Sequence, residues 1–302
     1  MISINCNLCG RDAWRVRFPA TLPDGGAIDV DAFRCTSPGY GRHPQIVQCT
    51  HCGLVYANPR WTADELAAAY AAVEDETYVA ERVGRELTFR KHLAALEKHT
   101  GPANGRALLD VGAYIGVFVE VAAAAGWEAL GVEPSAWAAA EAQARGLNVI
   151  AGTQDAAALN GRCFDVITMW DVIEHVADPA AELAKARALL KPGGWLAVHT
   201  MDIDSLAARL MGARWPWLMD MHLYYFSRRT LAAMLRQSGL EVVWSGAQGR
   251  FLRLGYLATR VRGLSRPLGN VTVGLVNALN LREVAVPVNF GDLFTVYARR
   301  AA

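Results

Sequence analysis

Short apolar runs alternate with helical-period segments along the chain, and that rhythm organises residues 106–245. Leu108, Leu109 and Val111 form an apolar run that stops at Gly112, which predicts a buried strand. Val117–Ala125 is apolar and alanine-rich with Glu120 as its one polar residue; Gly126 follows as a natural helix stop. Ala129–Val132 predicts a second strand, closed by Glu133-Pro134. The alternation continues through a helix opened by Ser135 and ended at Gly146, and a strand at Asn148–Ala151. A strand at Phe164–Met169 leads to a helix from Asp178-Pro179 to Lys191-Pro-Gly-Gly194. Trp195–His199 predicts a fifth strand, Ser227–Gln237 a capped helix, Glu241–Trp244 a sixth strand and Phe290–Arg299 a seventh. Strands and helices alternating in this way predict an α/β fold, an open parallel sheet with helices on both faces.

Three stretches fall outside that rhythm. Residues 1–60 carry paired cysteines and predict a small separate module. Residues 61–102 predict a helical connector: Thr62-Ala-Asp-Glu65 is a capping box, and Leu87, Leu93 and Leu96 lie near helical spacing before His99-Thr100-Gly101-Pro102. Tyr70, Tyr78 and Arg82 on this connector are candidates to cover a ligand site. Residues 246–289 exceed what a hairpin between the last two strands requires. They hold Arg250, Arg253, Arg260, Arg262 and Arg266, and no acid occurs between Glu241 and Glu283. Two readings follow for this insertion: a helical hairpin that packs on the sheet or forms a homodimer interface, or a basic, apolar surface for peripheral contact with anionic membrane.

Composition narrows the class. Over 302 residues, 53% apolar and 20% charged describe a globular chain with a full core. A net charge of +1 argues against nucleic acid as a partner. No apolar run approaches the ~20 residues of a membrane-spanning helix, and MISINCNLCG lacks the pattern of a secretory signal. A cytoplasmic location is expected, where cysteines serve metals before disulfides. Cys6-x-x-Cys9 and Cys49-x-x-Cys52 then predict one structural four-thiolate zinc site, with a hairpin or excursion in the 39 residues between them. His51 is expected to point outward, and Cys35 and Cys163 to be plain core residues.

The chemistry-bearing stretch is the first strand–helix–strand unit. Gly112 and Gly116 let the backbone approach a ligand, and Glu133, ending the second strand, can accept two ribose hydroxyls. A nucleoside at the strand C-termini is the expectation. The absence of G-x-G-x-x-G disfavours a dinucleotide.

The motifs LLDVGAYIG with Glu133, FDVITMWDVIEHVADP and LLKPGGWLAVHT resemble, in order, those of class I S-adenosylmethionine-dependent methyltransferases, over residues 106–245. The cysteine pairs, HLYYFS and GDLFTVYARR further resemble a bacterial subgroup that joins an N-terminal zinc ribbon to this domain. The resemblance implies a Rossmann-like seven-stranded sheet with its last strand antiparallel, occupying residues 103–302. It implies S-adenosylmethionine as cofactor, with Asp110, Gly112, Ala113, Tyr114 and Gly116 facing its methionyl portion and Glu133 its ribose. Gln154 and Asp155 would flank the adenine, and Trp170 and Asp171 lie beside the adenine and sulfonium. Tyr114 stands where the family's D-x-G-x-G-x-G has its middle glycine.

Transfer to a hydroxyl, amine or acidic carbon calls for a base. His222 and His175 are the candidate catalytic residues, with His199 behind them, since imidazole titrates nearest neutrality. Glu174-His175 also offers two ligands for a divalent cation. Trp215, Trp217, Tyr224, Tyr225 and Phe226 would suit stacking on a sugar, quinone or aryl group, or a lid packed on the core. The expected activity is therefore methylation of a small-molecule acceptor. That acceptor would be a sugar, cell-envelope or secondary-metabolite intermediate. RNA methylation through the zinc ribbon and non-catalytic cofactor binding are the alternatives; no N-P-P-Y-like tetrad follows strand four.

Overall fold

A computed structural model describes residues 1–22, 28–37 and 39–302. The excursion expected between the cysteine pairs includes residues 23–27 and 38, which lie outside the described residues. The N-terminal segment supplies β1 (Trp14–Phe18), β2 (Ile46–Cys49) and β3 (Val55–Ala57). The connector follows as α1 (Ala63–Ala71), α2 (Glu76–Ala80) and α3 (Arg82–Thr100). At the start of α1 the Thr62 hydroxyl accepts from the Glu65 N–H while Glu65 accepts from the Thr62 N–H, so the expected capping box is formed.

Alternation then runs through β4 (Ala107–Val111), α4 (Val117–Ala124), β5 (Glu128–Glu133), α5 (Ala136–Ala144) and β6 (Val149–Ala151). It continues with β7 (Phe164–Trp170), α6 (Pro179–Leu189), β8 (Leu190–Met201) and α7 (Leu206–Met211). Ser135 and Asp178 cap α5 and α6 as their sequence positions predict. A two-residue strand, β9 (Tyr224–Tyr225), precedes α8 (Arg228–Gln237) and β10 (Leu240–Ala247). The insertion is β11 (Arg250–Arg253), α9 (Leu254–Leu264), α10 (Arg266–Ala278) and β12 (Ala285–Val288), and β13 (Leu293–Arg300) closes the chain.

The principal sheet has seven strands in the order β10-β13-β8-β7-β4-β5-β6. Its core strands are parallel, and β13 lies antiparallel to both neighbours. Strand order reverses between β4 and β7, so the crevice at their C-terminal ends is the place for a ligand. The near-continuous apolar strands are buried on both faces, with Leu108, Leu109, Val166, Ile167, Leu196, Ala197 and Val198 fully inaccessible. The insertion is a helical hairpin carried on the antiparallel β11–β12 ribbon.

A second sheet runs β1-β2-β3-β9, all antiparallel, and β9 comes from the loop after α7. Val55 and Tyr56 pair with Tyr225 and Tyr224. The N-terminal strands are thereby continued by a strand of the later chain, and one apolar cluster contains Cys6, Leu8, Tyr56, Leu109, Met169, Tyr224 and Phe226.

Candidate functional site

Four sulfurs gather at the N-terminal end. One ligand atom from each of Cys6, Cys9, Cys49 and Cys52 lies within 4.8 Å of the others. Cys6 Sγ is 3.4 Å from Cys52 Sγ, and Cys9 Sγ is 3.6 Å from Cys49 Sγ. Sulfurs bound tetrahedrally at about 2.3 Å from zinc lie roughly 3.8 Å apart, so the donor set fits that ion. His51 is exposed beside it, as expected. Cys35 and Cys163, expected in the core, are exposed instead.

At the crevice, β4 ends in a tight turn. Gly112 sits at φ +71, and a Cβ there would come within 2.6 Å of Val172 Cγ2, so the turn requires glycine. Tyr114 takes φ +49 in the same turn, a left-handed conformation uncommon for an aromatic residue. Its ring packs edge-on against Tyr78 at 4.5 Å and faces Trp137 at 6.2 Å. Its N–H donates to Glu133 Oε2 and the Ser135 N–H donates to Oε1, both at 2.8 Å. Burial pushes the Glu133 carboxyl up to about 7 against these two bonds. Asp110 is buried one strand away, accepts from Thr168 Oγ1 at 2.6 Å, and is pushed by burial up to about 8.

Gln154 and Asp155 lie after β6. The Gln154 amide donates to Glu182 Oε2 at 2.7 Å, while Asp155 faces outward and pairs with Lys185 at 2.5 Å. Trp170, at the tip of β7, packs against Phe118 and His92. Asp171 follows at φ +56; Arg250 of β11 reaches it at 3.2 Å and His199 Nε2 lies 3.7 Å away. Although burial opposes ionisation, Arg250 and His199 hold the Asp171 carboxyl down at about 2. Among the described residues, the buried polar atoms around this crevice without a protein partner include the Tyr114 hydroxyl, Gln154 Oε1, Trp170 Nε1, His199 Nε2 and Glu174 Oε2. Buried orphans of this kind suit a polar ligand that completes them. With Glu133 at the second strand end, the set fits a nucleoside-bearing amino acid.

The histidines meet on the acceptor side. The ring centroids of His175 and His222 lie 4.8 Å apart. His222 Nδ1 is 2.6 Å from the Trp217 carbonyl, which can only accept, so Nδ1 carries the proton and Nε2 keeps its lone pair. His175 shares Nδ1 between the Tyr70 hydroxyl at 2.7 Å and the Met221 carbonyl at 3.0 Å. Burial lowers His175 to about 4 and His222 to about 3, so both are neutral near pH 7. Glu174 beside them is raised by burial to about 8. Together the three offer ligand atoms within 4.8 Å of one another; His222 supplies the third donor that the Glu174-His175 run lacked. His199 is turned elsewhere, with Nδ1 on Thr295 Oγ1 at 2.8 Å.

The connector candidates divide. Tyr70 and Tyr78 reach the site, whereas Arg82 binds Glu120. Tyr224, Tyr225 and Phe226 are fully buried packing residues, and Trp215 and Trp217 both donate to Asp292 Oδ2. Three insertion arginines also point inward. Arg250 binds Asp171, Arg253 binds Glu81, and Arg260 donates to the Ser37 carbonyl. Arg85, which no sequence motif marks, also borders this region, lying over the Tyr78 ring.

A family model described as a methyltransferase domain matches residues 79–244, more than half of the chain. The chain is 31% identical over 210 residues to a ubiquinone biosynthesis O-methyltransferase of Cereibacter sphaeroides, covering 61% of this chain and 83% of that protein. Among solved structures, it resembles the Burkholderia thailandensis 1,6-didemethyltoxoflavin-N1-methyltransferase at 18% identity and a TM-score of 0.50, covering 82% of this chain and 96% of the other. An Archaeoglobus fulgidus SAM-dependent methyltransferase matches at 17% identity and a TM-score of 0.50, over 75% of this chain and all of that one.

Proposed function

The chain belongs to the class I S-adenosylmethionine-dependent methyltransferases, and on that premise we propose that it methylates a hydroxyl of a small-molecule acceptor with His222 as base. The cofactor supplies an electrophilic methyl group on a sulfonium. Glu133, already fixed by two backbone N–H groups, has lone pairs left for the ribose hydroxyls. Asp110 and the turn of Gly112, Ala113, Tyr114 and Gly116 border the methionyl end. Gln154, with its unpartnered Oε1, and Asp155 border the adenine, and Trp170 and Asp171 the sulfonium.

The observation that carries the reading is the His222 tautomer: the Trp217 carbonyl holds the proton on Nδ1 and leaves the Nε2 lone pair to accept a proton, in a residue gathered with Glu174 and His175. With the cofactor bound, His222 would accept the hydroxyl proton as the methyl carbon passes from the sulfonium sulfur to the acceptor oxygen, leaving a neutral thioether, and His175, tied to Tyr70, would orient the partner group. A hydroxyl acceptor is supported by the O-methyltransferase relative. A sugar, cell-envelope or secondary-metabolite intermediate remains the acceptor class. Residues 1–60 are proposed to form a structural zinc ribbon held by Cys6, Cys9, Cys49 and Cys52 that sets the β9 loop. Calorimetry with S-adenosylmethionine, followed by turnover of an acceptor panel by wild type and His222→Asn, tests the assignment. Absence of cofactor binding removes it.

A further inference from the structure

The chain between the two cysteine pairs is longer than thiolate ligation requires, and its described residues form most of the wall of a pocket of about 450 Å³. Pockets of this size suit small molecules, and a few placed polar groups decide what they take. Thr77 of α2 lines it, and the next residue, Tyr78, packs edge-on against Tyr114 of the cofactor turn at 4.5 Å. Met219 and Asp220 also line it and lead directly into His222. Phe33, within the excursion, meets the Tyr70 ring edge-on at 5.1 Å, and the Tyr70 hydroxyl binds His175. The pocket therefore borders both the cover of the cofactor turn and the histidine pair.

The charges of the excursion cancel. Arg34 pairs with Asp31 at 2.9 Å and Arg42 with Asp29 at 3.8 Å. Asp220 is left over. It is only 6% exposed, its carboxyl makes no ion pair or hydrogen bond among the described residues, and Oδ1 is buried without a partner. Burial pushes this carboxyl up, and the Trp61 indole N–H that bears on it stops short of hydrogen-bond geometry, so Trp61 Nε1 is orphaned too. The main chain around Asp220 is pinned. The Gly41 N–H holds the Leu218 carbonyl, the His222 N–H holds that of Met219, and the Tyr70 hydroxyl holds that of Met221. A buried carboxyl without a donor is costly unless a ligand supplies one.

We propose that this pocket is the acceptor subsite, where Asp220 binds a hydrogen-bond-donating group of a sugar, either an ammonium or two vicinal hydroxyls. An ionised carboxyl offers only acceptor positions, so it selects donors. With Arg34 and Arg42 neutralised, it leaves the pocket one negative charge, which favours an ammonium, admits hydroxyls and repels a phosphate. Asp220 is thus a specificity residue that holds the acceptor while His222, two residues on, takes the proton. The inference rests on the methyltransferase reading and narrows its acceptor class.

Saturation-transfer NMR on the full chain with S-adenosylhomocysteine present tests this with glucosamine, glucose and glucose 6-phosphate. Wild type is expected to bind glucosamine and glucose, and glucose 6-phosphate more weakly than either. Asp220→Asn keeps the shape without the charge and should bind glucosamine about tenfold or more weakly, as one charged hydrogen bond predicts, with a smaller loss for glucose. Asp220→Ala should lose both, while calorimetry finds S-adenosylhomocysteine affinity the same in all three proteins. A lead for glucosamine identifies the ammonium as the bound group; equal binding of the two sugars identifies the hydroxyls. Absence of sugar binding to wild type, equal sugar binding by all three proteins, or a preference for glucose 6-phosphate overturns the proposal. Failure of wild type to bind S-adenosylhomocysteine overturns the cofactor reading instead, and the sugar comparison without it still decides Asp220. Should the Asp220 variants fail to fold, Arg34→Trp fills the pocket from its rim, and sugar binding unchanged by it overturns the proposal.

Discussion

The N–H of Tyr114 donates to Glu133 Oε2 at 2.8 Å, so the residue that replaces a glycine in the turn serves the site through its main chain. The left-handed φ of Tyr114 costs on the order of 1 kcal/mol, and its edge-to-face contact with Tyr78 offsets a similar amount. Tyr114→Ala keeps the N–H and is expected to bind S-adenosylhomocysteine nearly as wild type does. Glu133→Ala removes a charged acceptor and is expected to lose roughly tenfold to a hundredfold, as one charged hydrogen bond predicts. Equal losses in calorimetry would show that the tyrosine side chain, not its backbone, makes the contact.

His222→Asn should reduce turnover by about 10²–10⁴-fold, the usual worth of a positioned base, with S-adenosylhomocysteine affinity unchanged. Burial holds His222 at about 3 and His175 at about 4. Both are thus already deprotonated above pH 6, and neither should produce a fall in kcat/KM between pH 8 and 6. A pH–rate profile that breaks near 6.5 would mean that the working base is an exposed imidazole elsewhere.

Stability of the ligand-free protein should decline between pH 6.5 and 8. Burial raises Asp110 and Glu174 to about 8 and Glu133 to about 7. The folded state therefore keeps protons that the unfolded chain has released, and stability falls as pH rises through that window, by at most about 1.4 kcal/mol per group and pH unit. His92, His175, His199 and His222 are lowered, so their contribution has the opposite sign and is complete by about pH 6.5. Tm measured in zinc-replete buffer should be lower at pH 8 than at 6.5, and Glu174→Gln should flatten the difference. A rise towards pH 8 contradicts the burial of these carboxyls.

Much of this was legible from apolar rhythm alone. The strands ending at Val111, Glu133 and Trp170 are found where short apolar runs stop at polar or glycine residues, and local caps such as Thr62 and Asp178 close as their spacing requires. Cys6, Cys9, Cys49 and Cys52 were readable because thiolate ligation has a fixed local spacing. The contacts that build the crevice had no such signature. Asp171 meets Arg250, and Tyr70 meets His175, across 79 and 105 residues, respectively. Arg85 looks like any solvated helix cation until its neighbours are placed. Cys35 reads as an apolar core residue, and the folded chain leaves it exposed.

Zinc removal should act on turnover before cofactor affinity. Cys49 ends β2, β2 pairs with β3, and β3 pairs with β9, which begins two residues after His222. Displacement of that loop by even 1 Å costs about a hundredfold in rate, whereas Glu133 lies on the other side of β4 from β7 in the principal sheet. Cys49→Ser, or treatment with a strong chelator, is expected to abolish most turnover while S-adenosylhomocysteine still binds. Full activity after metal loss, verified by atomic absorption, would disconnect the module from the site.

The outer face of α10 exposes Leu268, Val271, Leu275 and Leu279, with Arg262 and Arg266 exposed beside them. The full chain is expected to pellet with vesicles containing anionic lipid and not with neutral ones, since an apolar stripe and basic residues act together at a charged surface. Arg262→Glu with Arg266→Glu should release it. Equal, negligible pelleting on both vesicle types ends the membrane reading.

The two residues of β9 also bear on ancestry. Because Tyr224 and Tyr225 complete a sheet begun near the N-terminus, the cysteine module and the histidine loop share one set of strand hydrogen bonds. A recombinant that takes its first sixty residues from one relative and its histidine loop from another must reconcile a hydrogen-bonded seam as well as a linker. Changes of acceptor among relatives should therefore arise by coordinated drift on both sides of that seam, and not by exchange of modules.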